Sequence, residues 1–219
     1  MAGKKSKGVL LGSVITDISR GVQLTAAELE ACLTDRETGW RYLSLADISG
    51  GSLQLNTQQL RSFDPEALGR DVGRYCLKEN MILLTKNDTP FKVEIVCEIG
   101  EEKIIASGNI YMITADESKV IPRWLCYWLQ GDEGMGRLRS AAASTNNGRM
   151  KWLSIKQIKG IVVPELTFQQ QADLLIGKLK EFTRWLVGVT EELRRGKQEI
   201  LEILKTLGVD FSDEDGTGE

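Results

Sequence analysis

The sequence predicts an α+β fold: a mixed globular unit over residues 1–165, a long coiled-coil-forming helix over 166–208, and an acidic tail over 209–219. Three observations predict it. Helical and alternating patterns interleave through the first three-quarters without the strand–helix–strand rhythm of a parallel sheet. A heptad of apolar residues then runs unbroken to the end of the helix. The last ten residues hold Asp210, Asp213, Glu214, Asp215 and Glu219 and no basic residue.

Gly8 to Ile15 reads as a strand. Gln23 to Leu33 reads as a helix, with Thr25 and Glu28 spaced as a capping box. Tyr42 to Ile48 alternates as a half-buried strand closed by Gly50-Gly51, and Met81 to Thr85 is a short apolar strand. Lys92 to Ile99 and Lys103 to Thr114 read as a hairpin turning at Gly100. Pro122 opens a helix carrying Trp124, Leu125, Trp128 and Leu129. Gly134 to Lys151 is polar and glycine-punctuated and reads as a loop. Ser154 and Gln157 box the start of another short helix, and Gly160 to Val163 is a strand ended by Pro164.

From Thr167 the apolar or small residues are Phe168, Ala172, Leu175, Leu179, Phe182, Leu186, Val189, Leu193, Gly196, Ile200, Ile203 and Leu207. Their steps alternate four and three, which is a heptad seam with Gly196 as its weak layer. Thr167 is placed to cap the helix and Gly208 to end it. About 40 residues of helix span roughly 60 Å. Gly177, Gly188 and Gly196 each cost about 1 kcal/mol of helix propensity relative to alanine. Tertiary or quaternary packing must therefore hold this one, and pairing with another helix, within or between chains, is expected. Leu175, Leu179, Phe182, Leu186, Val189, Leu193, Ile200, Ile203 and Leu207 are the expected pairing residues. Ile176, Trp185 and Leu204 widen the stripe, so the helix is expected to touch more than one surface.

The 219 residues are 42% hydrophobic and 27% charged, ordinary for a globular protein. No run reaches the length of a membrane span. Met1 to Lys7 is basic, but the apolar run Val9 to Val14 is too short for a secretory signal, so the cytoplasm is expected. Cys32, Cys76, Cys97 and Cys126 are widely spaced and expected as buried thiols rather than disulfides or zinc ligands. The chain has no histidine. That excludes histidine-based nucleophile activation and histidine metal sites. Net charge is −3; setting aside the tail's −5 leaves +2 on residues 1–209. No nucleotide-phosphate loop motif occurs and no Asn-Pro-Pro-aromatic stretch suited to amino-methyl transfer. No metal or cofactor is expected. Glu101-Glu102-Lys103, with Asp88 upstream, is the one pattern resembling a metal-dependent nuclease.

Two polar stretches carry residue types that read DNA. One holds Arg137, Arg139, Thr145, Asn146, Asn147, Arg149 and Lys151. The other holds Lys86, Asn87, Thr89 and Lys92. Arginine and asparagine make bidentate contacts to guanine and adenine edges, and lysine and threonine suit phosphates. Arg20 joins them as a DNA-binding candidate.

Several segments, in order, resemble the specificity (S) subunits of type I restriction–modification systems. They are Leu11-Gly12 with Ile18-Ser19-Arg20-Gly21, then Tyr42 to Ile48 with Gly51, then Asn80 to Thr85. Ala106-Ser107-Gly108-Asn109-Ile110 and the helix from Pro122 to Leu129 follow. Leu153-Ser154, Ile158 and Ile161 to Leu166 with Gln170 complete the series. The resemblance covers nearly all of the chain except the tail, and its specificity lies in the order, not in any one motif. It implies a non-catalytic, double-stranded-DNA-reading subunit. Such a subunit directs a partner adenine methyltransferase, and sometimes a restriction subunit, to a bipartite site. Family members usually carry two recognition domains and two long helices, paired antiparallel; this chain has one of each. The resemblance therefore implies a half-subunit acting as a homodimer on an interrupted palindrome. The competing reading is a protein–protein adaptor, or a decoy inhibitor of a restriction–modification complex, that uses the helix and never reads bases.

Overall fold

The computed structural model describes residues 8–49, 59–87, 90–97, 99–144 and 151–206, with the backbone alone at 144 and 201–206. Expectations on Gly50-Gly51, Asp88, Thr89, Thr145, Asn146, Asn147, Arg149, Leu207, Gly208, the acidic tail and the side chains of Ile203 and Leu204 lie outside the described residues. The chain divides into two compact units, Met1–Ala172 and Asp173–Glu219.

The first unit is α+β. An antiparallel sheet has the order β2 (Ile15–Arg20), β9 (Ile110–Ala115), β6 (Ile82–Thr85), β7 (Val93–Ile95). A mixed sheet has the order β3 (Leu33–Thr34), β5 (Arg61–Phe63), β4 (Trp40–Leu43), β8 (Lys103–Ala106). Every residue of β6 is buried, as its unbroken apolar run requires of a central strand. The pleat sends alternate side chains of the mixed sheet to opposite faces. Leu43 and Ile104 enter a core shared with Leu83 and Met112 of the antiparallel sheet. Tyr42 and Ile105 join Val22, Cys32, Phe63 and Val72 on the other face, where Tyr42 stacks on Phe63 at 5.8 Å. The two cores on either side of one sheet make the unit.

The helix starts follow the local sequence. Before α1 (Ala26–Cys32), Thr25 N–H donates to Glu28 at 2.7 Å and Glu28 N–H to the Thr25 hydroxyl at 3.2 Å. Ser154 and Gln157 form the same box ahead of α4 (Ile155–Lys159). Pro122 occupies the first turn of α2 (Pro122–Gln130).

Four local expectations are corrected. Gly8 to Ile15 is not one strand. β1 (Gly8–Leu10) pairs with β12 (Val162–Pro164), and a 3-10 turn over Leu11–Ser13 then redirects the chain into β2. Leu11 is fully buried there and its N–H donates to Ile161 O at 2.7 Å. The strand at Tyr42 stops at Leu43 because the Asp47 carboxylate accepts from both Ser44 N–H, at 2.7 Å, and its hydroxyl, at 2.6 Å. Such local bonds compete with the ladder.

Gly100 does turn the chain, but the strands beside it form no hairpin. β7 pairs with β6, whereas β8 runs parallel to β4 in the other sheet. The expected strand from Lys103 to Thr114 breaks at Ser107–Asn109 into β8 and β9. Finally, the stretch after Gly134 begins as a helix, α3 (Asp132–Ala141), followed by a short strand β10 (Ala143–Ser144) that pairs with β11 (Lys151–Trp152). A side chain at position 134 would collide with the Trp128 carbonyl and the Leu129 backbone. The glycine that weakens the helix signal is what lets α3 pack on the end of α2.

The four cysteines form no disulfide, and Cys76 and Cys97 are half-buried rather than buried as expected. Cys32 and Cys126 are buried, and burial pushes the Cys126 thiol up to about 12. Among the described residues no helix is long and apolar enough to cross a membrane.

The last helix, α5, spans Phe168–Thr206. Its cap is the expected one: Thr167 N–H donates to Gln170 at 2.9 Å and Gln170 N–H to the Thr167 hydroxyl at 3.3 Å. Gln171, 2% exposed, accepts from Ile121 N–H at 2.8 Å and donates to Leu166 O at 2.9 Å, fixing the first turn within the first unit. In the second unit Leu179, Phe182, Leu186, Leu193 and Ile200 are exposed, Leu193 to 70%. Leu175, Val189 and Gly196 are half-buried. Trp185, off the seam and 59% exposed, stacks on Phe182 at 5.8 Å.

Candidate nucleic-acid interface

The candidate site is built at one end of the antiparallel sheet. Lys86 leaves β6 with its backbone held on both sides: its N–H donates to Asn109 O at 2.8 Å and its carbonyl accepts from Leu153 N–H at 3.0 Å. Asn87 bridges antiparallel to Trp152. The β10–β11 pair is thus an extension of the end of β6. Tyr111 of β9 adds a third tie, its hydroxyl donating to Leu153 O at 2.6 Å.

Arg20 ends β2 opposite Tyr111. Its Nε and Nη2 donate to the Gly108 carbonyl at 2.9 and 2.7 Å, and Nη2 donates to Gln23 Oε1 at 3.1 Å. Gly108 is required there, because a side chain would run into Gln23 and the Val22 carbonyl. Arg20 therefore clamps the β8–β9 connection while keeping its charge at the site. Burial holds the Lys86 ammonium below the usual lysine range, and Arg20 lowers it further. Among the described residues no carboxylate pairs with Lys86. These two cations have no counter-anion among the described residues, a surface that favours an anionic ligand.

Arg20 and Lys86 are brought together by this geometry, and Asn87 and Lys151 lie on the strands that extend the same end of the sheet. Lys92 belongs to the same end of the β6–β7 pair, where its N–H donates to the Thr85 hydroxyl at 2.9 Å, but its ammonium donates to Ile48 O at 2.5 Å. Arg137 lies on α3 rather than on a loop and pairs with Glu133 at 2.9 Å. Arg139 is exposed on the same helix, four residues before β10 and close in sequence to the interface. Sequence reasoning missed Tyr111 and Trp152. The signal available for the latter was a lone tryptophan directly after Lys151 at the end of a polar stretch.

The nuclease pattern has another use. Glu102 accepts from Arg41 Nε at 2.8 Å, and Arg41 also reaches Ser62 at 2.9 Å and Glu37 at 3.0 Å. Lys103 lies over the Trp40 ring at 5.0 Å. These groups fasten β8 to β4 and β5.

No family model matches the chain, and no curated protein matches it. Solved structures do. One is a chain of a type I restriction–modification system, described for complex assembly and conformational transition. It has a TM-score of 0.56 at 14% identity, over 92% of this chain and 43% of that one. Another is the HsdS subunit from Thermoanaerobacter tengcongensis, with a TM-score of 0.54 at 14% identity, over 90% and 44% of the two chains. The structural neighbours are type I S subunits, and the chain shares their fold. It spans less than half the length of these two neighbours.

Proposed function

We propose that this protein is a sequence-specific, non-catalytic DNA-binding specificity subunit. It directs a partner DNA adenine methyltransferase, and in some assemblies a restriction subunit, to a bipartite site. Two copies pair through α5, so the site is an interrupted palindrome and the helices set the gap between its halves. The observation that carries the reading is the pairing of an S-subunit fold with an exposed apolar seam on α5. A stripe of large exposed side chains at heptad spacing is the mark of a helix that pairs with another. The Arg20–Lys86 pair supports contact with phosphate.

The test is to purify the chain with a co-expressed candidate adenine methyltransferase and to map methylation on a random DNA library. The expected result is one palindromic bipartite motif. Methylation or binding without preference over random sequence would overturn the reading. The adaptor alternative predicts assembly of the complex without any motif.

A further inference from the structure

Trp152 differs from the other tryptophans of the first unit. Trp124 is buried in the core, Trp40 is covered by Lys103, and Trp128 is half-buried. Trp152 is 38% exposed. Its neighbours across the strands are Ala143 on one side and Asn87 on the other, both too small to cover an indole. Among the described residues no other ring or cation packs on it. Its backbone is nonetheless well held. The next residue bonds to Lys86 through its N–H and to Tyr111 through its carbonyl. An aromatic ring on a fixed backbone therefore stands at the end of β11, on the same face as Asn87 across the bridge, with Lys151 and Lys86 next along the two strands.

Resting on the DNA-reading function above, we propose that Trp152 is a base-contacting residue of the interface. Its ring, with Asn87 beside it across the bridge, packs against base edges in the groove, and the adjacent Lys86 and Lys151 reach phosphates. An aromatic ring placed there adds apolar area at little entropic cost, since it has only two rotatable bonds and its backbone is already fixed. An apolar group distinguishes bases through contacts such as that with the thymine methyl. A lysine on a phosphate carries no sequence information.

The difference between the two roles is measurable in the complex of the full chain with its methyltransferase. Once the motif is mapped, binding is measured on duplexes in which each half-site base pair is replaced in turn, over a range of salt. Trp152→Leu keeps an apolar side chain but removes the aromatic ring. It is expected to weaken binding to the motif by about tenfold and to relax preference at one or two adjacent base pairs. The slope of log K against log salt should stay unchanged, because no charge is lost. Trp152→Phe is expected to keep most of the preference. Lys86→Ala should instead weaken all sequences alike and reduce the salt slope by about one. Thermal melts near that of the wild type keep folding out of the comparison, with Trp152→Phe as the conservative control. Unchanged binding in Trp152→Leu, or equal weakening across all duplexes, overturns the assignment of Trp152 and leaves DNA reading intact. A wild-type complex with no preference overturns both.

Discussion

The Tyr111 hydroxyl donates to the Leu153 carbonyl at 2.6 Å, joining the central strand β9 to the residue that follows β11. The bond is buried, and burial holds the phenol above its usual range. Tyr111→Phe removes the donor and leaves a buried carbonyl. The expected cost is about 1–3 kcal/mol of folding stability, read by urea denaturation, with a parallel loss of DNA affinity. A change of only a few tenths would mean that the tie does not support the interface.

Lys86 gives a pH signature to binding. Its folded pKa is lowered, first by burial and then by Arg20. A phosphate beside it favours the charged form, so the bound pKa lies above the free one. Affinity should therefore be full below the free pKa and fall as pH rises through it. Lys86→Arg stays charged across that range. Titrations of affinity from neutral to alkaline pH should slope for the wild type and flatten for the arginine variant. Parallel curves would remove Lys86 from the phosphate contacts.

Glu102→Ala separates a structural carboxylate from a catalytic one. Arg41 is held above its usual range chiefly by its bond to Glu102. Loss of this partly exposed pair should cost about 1 kcal/mol, seen as a lower denaturation midpoint. The methylation motif should be unchanged. Metal-dependent DNA cleavage that disappears in this variant would reinstate the nuclease.

Leu186 and Leu193 are exposed on the α5 seam. Replacing both with glutamate puts like charges into two layers of a paired helix. Sedimentation should show monomer in place of dimer, and the bipartite motif should be lost with it. A dimer that persists would place the contact on the Ile176–Trp185 side of the helix.

What could be read from the sequence was local. Thr25 with Glu28, Ser154 with Gln157, and Thr167 with Gln170 each set a helix start through bonds spanning three residues. The heptad likewise needs only its own spacing. The misreadings lie where distant chain decides. Arg41 and Glu102 are 61 residues apart, and nothing near Gly100 announces that β8 will pair parallel with β4. At Gly134 a tertiary contact outweighs a poor helix propensity.

The interface divides in the same way. Arg20, Lys86 and Lys151 stand out by residue type, but their meeting depends on how β2, β6 and β11 are arranged. The ammonium of Lys92, directed to a carbonyl, and the Arg137–Glu133 pair depend on neighbours that a residue type does not reveal. Trp152 has only its place at the end of a polar stretch to mark it; its two small cross-strand neighbours come from elsewhere in the chain.

The hydrogen bonds that fix position 86 are all main-chain: its N–H to Asn109 and its carbonyl from Leu153. Bonds of this kind are indifferent to the side chain they carry. The ladder therefore tolerates a wide alphabet at this position, and the same holds for Asn87 and Trp152 across their bridge. Under the proposed function, a scaffold of that type would change its target by single substitutions at the sheet end without refolding. A saturation library at residues 87 and 152 is the natural place to select variants with new specificities.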